Sequence, residues 1–253
     1  MRCCNAQRDM PSVNPYYGQD QDNRAARVKT LFNQIAPRYD LVNDVQSLGM
    51  HRLWKRRLLT LASVEPGERA LDACCGTGDI TLALAGCGAI VTGIDFSLNM
   101  LEKARSRCPR EANVDFLEGD AMALPFPPDT FNLVTIAYGL RNLSDFDAGL
   151  KELIRVLRPE GRLLILDFGK PKFALWRHCY FAYLRWVVPV FGWFFCGDWA
   201  AYRYILDSLE HYPAQEGIAT AMRSLNMTDI RIDNLLGGVM SLNFGMKAGL
   251  VAD

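Results

Sequence analysis

Apolar side chains near the start of the chain recur at the spacing of helices. Within residues 28–35 they follow one another at intervals of three and four residues, and residues 51–61 show the same period. This spacing gathers the apolar side chains on one face of a helix. Pro37 disfavours helical backbone in the residue before it, so the pattern predicts two separate helices. Residues 1–24 are polar and interrupted by proline and glycine, which predicts a flexible tail.

A different pattern begins at residue 69, where short apolar segments alternate with helical ones. Residues 98–108 and 146–157 are predicted helices, and the apolar segments around them have the length of buried strands. Such alternation is typical of a doubly wound, mostly parallel sheet. The five predicted strands are RALDAC (69–74), AIVTGID (89–95), VDFLEGD (114–120), FNLVTIAY (131–138) and GRLLILDF (161–168).

The last part of the chain predicts a helix followed by a hairpin. Residues 214–225 have helical spacing, and residues 228–247 contain two apolar segments that meet at Gly237 and Gly238. A Gly-Gly pair suits a tight hairpin turn, so we expect an antiparallel edge to close the sheet. The predicted fold class is therefore α/β, with a doubly wound, mostly parallel seven-stranded sheet (Rossmann-like), N-terminal helices and a helical insertion at residues 173–212.

Composition narrows the class of protein. The chain has 253 residues, half of them apolar, which is enough for one large domain, predicted over residues 25–253. Lysine plus arginine and aspartate plus glutamate number 28 each, and this balance does not favour nucleic-acid binding, which usually needs a basic excess. The eight cysteines include no CxxC spacing and there are only three histidines, so we expect reduced cysteines, a cytoplasmic protein and no metal site.

The aromatic segment at residues 173–199 is the most apolar part of the chain. A membrane-spanning helix needs about 20 predominantly apolar residues, and Arg177, Arg185 and Pro189 interrupt this segment. The pattern therefore predicts helices that line an apolar cavity or lie on a membrane surface.

Acidic residues end several of the predicted strands. In a doubly wound sheet the ligand lies beyond the carboxyl ends of the strands, where the strand order reverses. Asp72 ends the first strand and precedes a loop that contains Gly76 and Gly78, and Asp95 and Asp120 end the next two strands. A single strand-end aspartate is more often a turn former or a helix cap, but three in register favour a ligand site.

The loop differs from the fingerprint of a dinucleotide site. Thr81 occupies the position of the third glycine, no GxxxxGK[ST] motif occurs, and the charge of Asp79 would lie near a phosphate. Asp95 follows Asp72 at close to the ~20-residue interval at which an acidic residue reaches a ribose diol, and Asp120 could accept from the adenine amine. S-adenosylmethionine has these groups, a cationic sulfonium and no phosphate, and is the favoured ligand.

Longer segments resemble a known family. The order of the elements, with LDACCGTGD, VTGIDFSLNML and ELIRVLRPEGRLLILDF, resembles the class I methyltransferases. More specifically, YDLVNDVQSLGMHRLWKR (39–56), TIAYGLRNLSD (135–145) and YRYILDSLEHYP (202–213) resemble the UbiE/MenG/Coq5 family of quinone C-methyltransferases, and the likeness extends over nearly everything from Val28 onward. One departure is Cys74, which stands where the methyltransferase loop usually has its first glycine.

The resemblance implies methyl transfer from S-adenosylmethionine to a ring carbon of a prenylated quinol. The acceptor is either demethylmenaquinol, in menaquinone biosynthesis, or 2-methoxy-6-polyprenyl-1,4-benzoquinol, in ubiquinone biosynthesis, and the Cys-Cys loop favours the first. With the strand-end residues above, the predicted cofactor-binding set is Tyr39, Asp72, Gly76, Thr77, Gly78, Asp95, Phe96, Asp120, Ala121 and Tyr138.

Four residues are candidates for the methyl-transfer chemistry. Arg141 is cationic at ordinary pH and could stabilise the oxyanion of the quinol, while Asn142 could hold a second ring oxygen. His51 has the intrinsic pKa of a general base, with a structural or surface role as the alternative. Asp40 is expected near the sulfonium, with a helix-end cap as the alternative.

The predicted partners are the prenylated quinol and, because that substrate dissolves in lipid, the inner face of the membrane as a peripheral contact. No nucleic-acid partner is expected, and the oligomeric state, including a homodimer, stays open. Three other functions remain alternatives: a methyltransferase acting on a sterol, a tocopherol-type phenol or a small soluble acceptor; a non-catalytic S-adenosylmethionine-binding subunit of a quinone-biosynthetic complex; and a dinucleotide-dependent oxidoreductase.

Overall fold

The computed structural model describes residues 33, 39–188, 190, 208–209 and 212–249. The predicted tail, the predicted helix at residues 28–35 apart from Asn33, and most of the segment at residues 202–213 lie outside the described residues. The side chains of Tyr39, Asp40 and Val42 also lie outside them.

Seven strands form one sheet in the order β3-β2-β1-β4-β5-β7-β6. The first five strands are parallel to one another, and β7 is antiparallel to both β5 and β6. This arrangement confirms the predicted fold class. The strands are β1 Arg69–Ala73, β2 Ile90–Asp95, β3 Val114–Glu118, β4 Phe131–Ala137, β5 Leu157–Phe168, β6 Met227–Leu235 and β7 Met240–Lys247.

Helices connect the strands and pack on the sheet. Two of the described helices meet at a turn before β1. The second, at residues 50–62, matches the helix that the apolar spacing predicts at residues 51–61, whereas the helix at residues 39–46 was not predicted. The described helices are α1 Tyr39–Gln46, α2 Met50–Ala62, α3 Asp79–Gly86, α4 Leu98–Arg107, α5 Phe146–Val156, α6 Ala174–Trp186 and α7 Ala214–Ser224, with short 3₁₀ turns at Leu140–Asn142 and Leu236–Gly238.

The central strands are buried on both faces. Leu71 of β1, Leu133 of β4 and Leu164 of β5 have no exposed surface, because helices cover both sides of a parallel sheet. On α2, His51, Trp54, Leu58 and Ala62 form the buried face. The spacing of these four residues is that of one helical stripe.

The predicted hairpin is present, but its strands enter the sheet in an order that the sequence did not indicate. Gly237 and Gly238 have φ values of 65° and 96° in the turn between β6 and β7. The second strand, β7, pairs with β5, so the antiparallel strand lies one position inside the edge and β6 forms the edge itself.

The strand order reverses at β1, which pairs with β2 on one side and with β4 on the other. The connections after β1 and β4 therefore leave the sheet in opposite directions and open a crevice between their carboxyl ends. This crevice is where the strand-end residues converge.

Candidate active site

The loop after β1 turns sharply into α3. Cys74, Gly76 and Gly78 all have left-handed backbone, with φ values of 54°, 55° and 82°. A Cβ on Gly76 would meet no atom within 4 Å, so this residue leaves open space at the loop surface. A Cβ on Gly78 would lie 3.1 Å from the Cβ of Ala104, so Gly78 is needed for close packing against α4.

A cavity opens at the crevice, where the small-molecule sites of α/β sheets usually lie. Among the described residues its lining contains two carboxylates, those of Asp95 and Asp120, and no lysine or arginine. Such a lining suits a cationic ligand that carries hydroxyl groups and does not suit a phosphate. The lining comprises Cys74, Gly76, Ile94, Asp95, Phe96, Met100, Gly119, Asp120, Ala121, Met122, Ala137, Tyr138, Gly139, Asn142, Leu143 and Ser144.

Asp95 is fixed in this cavity by backbone donors. The amide N–H of Gly76 donates to its Oδ2 at 2.8 Å, and the N–H of Ser97 donates to its Oδ1 at 2.9 Å. Asp120 is more exposed, and its Oδ1 accepts from the N–H of Met122 at 2.8 Å. Backbone bonds therefore hold both carboxylates at the cavity wall.

Tyr138 lines the opposite wall in an unusual conformation. Its φ of 60° is left-handed, which is strained for an aromatic residue. Three bonds hold it there: its N–H donates to the carbonyl of Leu166 at 2.8 Å, and its own carbonyl accepts from Arg141 Nη1 at 2.9 Å and from Asn142 Nδ2 at 3.0 Å. The two side chains predicted to act on the substrate thus share one backbone acceptor.

Arg141 forms a buried ion pair with Asp167, which follows the apolar run of β5. Arg141 Nη1 donates to Asp167 Oδ1 at 2.8 Å, and the Arg141 backbone N–H contacts Oδ2 at 3.3 Å. The guanidinium also lies 4.5 Å from the ring centroid of Phe168. Arg141 is absent from the cavity lining, whereas Asn142 is part of it.

Comparison with known proteins decides the family. A family model described as the ubiE/COQ5 methyltransferase family matches residues 20–247. The chain belongs to this family. The demethylmenaquinone methyltransferase of Desulfitobacterium hafniense (strain Y51) is 36% identical over 251 residues, which are 97% of this chain and 98% of that protein. The demethylmenaquinone methyltransferase of Staphylococcus aureus (strain MRSA252) is 36% identical over 231 residues, which are 89% of this chain and 96% of that protein.

Solved structures agree with the fold. An S-adenosylmethionine-dependent methyltransferase from Thermotoga maritima superposes with a TM-score of 0.62 at 17% identity, covering 86% of this chain and 99% of that one. Phosphoethanolamine N-methyltransferase 2 of Haemonchus contortus, in complex with S-adenosylmethionine, gives 0.59 at 17% identity over 77% of this chain and 52% of that one. At these identities the likeness concerns the fold alone. The predicted family and the enzyme class, an S-adenosylmethionine-dependent methyltransferase, are confirmed by the family match.

In this methyltransferase, three predicted cofactor residues lie behind the cavity wall. Thr77 and Gly78 are absent from the lining, as is Asp72. Asp72 is buried, and its two oxygens accept from the hydroxyls of Thr81 at 2.6 Å and Thr135 at 2.8 Å. Burial raises the pKa of Asp72 to about 6. This carboxylate therefore joins the end of β1 to α3 and β4.

His51 is buried at the corner between α1 and α2. Its Nδ1 lies 2.8 Å from Ser47 Oγ, and its Nε2 lies 3.7 Å from Asp44 Oδ1. Burial, together with the charge of Lys55, lowers the pKa of the ring, so His51 is neutral near pH 7. It does not line the cavity.

Asp79 does not line the cavity, so the prediction that its charge would lie near a bound phosphate is wrong. Lys55 Nζ contacts its Oδ2 at 2.6 Å and Arg107 Nη2 contacts its Oδ1 at 2.5 Å. Although burial alone would raise the pKa of Asp79, these two cations lower it. The charge is therefore neutralised locally and does not face the cavity. The cation-free lining described above is the better reason to disfavour a phosphate.

The sequence did not single out several residues that shape the site. Met100, Met122 and Leu143 line the cavity as apolar walls, and only their positions after predicted strands could have suggested this. Asp167 ends a strand in the sequence, but its pairing with Arg141 joins residues 26 positions apart. In the described ranges, no group of three metal-ligating side chains occurs.

Proposed function

We propose that this methyltransferase moves the methyl group of S-adenosylmethionine to a ring carbon of demethylmenaquinol and thereby forms menaquinol. The relatives that match nearly the whole chain carry the name demethylmenaquinone methyltransferase, and this likeness supports the naphthoquinol over the benzoquinol. The observation that carries the donor assignment is a cavity lined by two carboxylates and by no cation in the described part of the chain.

The cavity fits the donor group by group. Gly76 leaves space for close approach of the ligand to the loop. Asp95, oriented by the amides of Gly76 and Ser97, would accept from the ribose hydroxyls. Asp120 and its neighbour Ala121 would contact the adenine, with Phe96 packing on the opposite side. When bound, the sulfonium supplies an electrophilic methyl group.

The remaining predicted cofactor residues take different proposed roles. Asp72, Thr77 and Gly78 would shape the loop from behind, because none of them lines the cavity. Tyr138 would form the wall between donor and acceptor, since this residue lines the cavity and its carbonyl accepts hydrogen bonds from Arg141 and Asn142. The backbone of Tyr39 begins α1, and its proposed contact with the cofactor concerns a side chain outside the described residues.

Methylation at carbon requires an electron-rich ring. A quinol hydroxyl would lose its proton, and the ring carbon would accept the methyl group of the sulfonium, which would leave as the neutral thioether S-adenosylhomocysteine. Loss of the ring proton and return of one proton to the oxygen would then restore the aromatic quinol. We assign the contact with a quinol oxygen to Asn142, because this residue lines the cavity. Arg141 would act as a positioning residue and a source of positive potential behind it. His51 remains the proposed proton acceptor, and Asp40 remains the proposed carboxylate near the sulfonium.

The experiment uses the full chain and radiolabelled S-adenosylmethionine with two chemically reduced acceptors in detergent, demethylmenaquinol and 2-methoxy-6-polyprenyl-1,4-benzoquinol. We expect label in the naphthoquinol. Label in the benzoquinol alone would overturn the acceptor assignment, and label in both would identify a dual-pathway enzyme. Tight binding of S-adenosylmethionine without transfer to either would favour a non-catalytic subunit.

An Asn142→Ala variant tests the assigned roles in the same assay. Loss of turnover with retained binding of S-adenosylmethionine is expected, because Asn142 belongs to the acceptor wall. The matched control is Asn132→Ala, a half-buried asparagine on β4 away from the cavity, which should leave turnover unchanged. Equal loss of donor binding in Asn142→Ala would instead assign this residue to the cofactor.

We also propose that the enzyme works at the membrane surface, because a prenylated quinol dissolves in the bilayer. In the ranges that the structure describes, no helix is long and apolar enough to cross a membrane. The contact proposed is therefore peripheral, at the inner face. A homodimer is the alternative to a monomer at the membrane, and the mass from light scattering, described in the next subsection, distinguishes the two.

A further inference from the structure

A leucine occupies an unfavourable position in the turn between α1 and α2. Leu48 is 87% exposed and has a left-handed backbone, with φ of 50°. Left-handed backbone is strained for leucine and suits glycine or asparagine. Exposure of the side chain to water gives no compensating burial. The fold alone therefore gains nothing from a leucine here.

Further exposed apolar side chains lie on α2 and around the end of α6, and a hydrogen bond joins the two regions. Tyr183 of α6 donates its hydroxyl to the carbonyl of Gln46 at 2.9 Å, which is two residues before Leu48. Leu53 is 57% exposed and Trp186 is 69% exposed. We call the following set the docking face: Leu48, Leu53, Trp186, Val187 and Val190.

The charge around the docking face is positive although the chain as a whole is neutral. Neither α2 nor α6 contains an acidic residue. Asp44, Asp79 and Asp233 pair with three of the cations of α2, and the two helices together keep a positive balance. The cations of the two helices are Arg52, Lys55, Arg56, Arg57, Arg177 and Arg185.

We propose that the docking face binds the surface of an anionic lipid bilayer. Leucine, valine and tryptophan side chains would enter the boundary between headgroups and acyl chains, where tryptophan is favoured. The surrounding arginines would face the lipid phosphates. A second copy of this chain is disfavoured as the occupant, because two identical positive faces repel each other. The inference rests on the proposed function in one respect: binding to the bilayer would bring the enzyme to an acceptor that is dissolved in the lipid.

The first test is co-sedimentation of the full chain with vesicles of phosphatidylcholine alone or mixed with phosphatidylglycerol. We expect binding to the mixed vesicles that weakens as salt is raised. Leu48→Asn should lower the vesicle partition coefficient about tenfold, because it removes a leucine from the boundary. Arg56→Gln, which removes one exposed cation, should lower it about fivefold.

Leu48→Asn also separates docking from folding. Asparagine tolerates left-handed backbone, so the variant should unfold at the same or a higher temperature than the parent chain while it binds vesicles less well. The matched control is Ile90→Thr, since Ile90 is 50% exposed at the start of β2, the end of the sheet opposite the cavity. This control should leave vesicle binding unchanged.

The outcomes distinguish the docking face from the proposed function. Absence of binding to mixed vesicles, or equal losses in Leu48→Asn and Ile90→Thr, would overturn the docking proposal even if detergent-solubilised quinol is methylated. Vesicle binding that depends on Leu48, without methylation of any quinol, would support the docking proposal and contradict the function. A mass by light scattering that falls from dimer to monomer in Leu48→Asn, with vesicle binding unaltered, would assign the face to a second copy and overturn the lipid proposal.

Discussion

The two walls of the cavity are built by different means. On the wall formed by the β1 and β2 ends, backbone amides orient Asp95, and glycines provide the sharp turn. On the wall formed by the β4 and β5 ends, the buried ion pair of Arg141 and Asp167 holds a strained Tyr138. The first wall depends on local chain geometry. The second depends on a charged pair, and removal of one partner leaves the other charge buried without compensation.

The largest effect is expected where the second wall loses its ion pair. Asp167→Ala leaves the Arg141 guanidinium buried without its carboxylate and should lower the free energy of unfolding by about 3–5 kcal/mol. Urea denaturation measures this change. Turnover should fall, whereas the affinity of the folded protein for S-adenosylmethionine should stay nearly constant, because Asp167 does not line the cavity.

A double variant, Arg141→Met with Asp167→Leu, sharpens this result. Apolar residues of similar volume should recover most of the lost stability but not the turnover, because one of the two side-chain donors to the Tyr138 carbonyl is gone. A double variant with normal turnover would show that the pair serves folding alone. If the double variant lost affinity for S-adenosylmethionine as strongly as it lost turnover, the second wall would also contribute to cofactor binding. The two walls would then not differ in their roles.

The next effect concerns the first wall. Asp95→Asn places an amide NH₂ where a carboxylate oxygen now accepts from the N–H of Gly76 or Ser97. Hydrogen bonds to charged groups contribute about 1.5–3 kcal/mol, so the Kd for S-adenosylmethionine should rise about 10- to 100-fold. Titration calorimetry measures this, with Asp115→Asn on the exposed surface of β3 as the matched control. An unchanged Kd would exclude Asp95 from donor binding.

The sequence predicted the sheet and the strand-end positions of Asp95 and Asp120, because both depend on local patterns along the chain. Alternation of apolar and helical segments determines the parallel strands, and Asp95 and Asp120 fall at strand ends along the crevice. The same reasoning placed Asp72 in the cavity set, but a strand-end position does not reveal which way a side chain points. Its partners Thr81 and Thr135 belong to other elements, 9 and 63 residues away. Likewise, Lys55 and Arg107 reach Asp79 only through tertiary packing.

The buried carboxyl group of Asp72 makes the free energy of unfolding depend on pH. Burial raises its pKa to about 6 from an ordinary value of 3.8, so the folded chain binds this proton more tightly than the unfolded chain. The stability that the protonated group contributes is present below about pH 4 and is lost as pH rises through about 6. Asp72→Asn removes the titration.

The difference in unfolding free energy between Asp72→Asn and the parent chain should therefore shift in favour of the variant, by on the order of 2 kcal/mol between about pH 4 and pH 7. Urea denaturation at both pH values provides the measurement. Thr81→Val serves as a control that retains the buried carboxyl. A difference that does not vary with pH would mean that Asp72 keeps an ordinary pKa in the fold.

The smallest change in stability is expected for Cys74→Gly, which relieves backbone strain in the first wall. Cys74 has φ of 54°, a conformation that costs a residue other than glycine roughly 1–2 kcal/mol. Glycine adds unfolded-state entropy of about 0.5–1 kcal/mol, so Cys74→Gly should stabilise the chain by no more than about 1 kcal/mol in thermal denaturation. Cys74 lines the cavity, and its Cβ would lie 2.5 Å from a Cβ on Gly139. Cys74 is therefore the point where the two walls touch, and a destabilised Cys74→Gly chain would mean that this contact outweighs the strain.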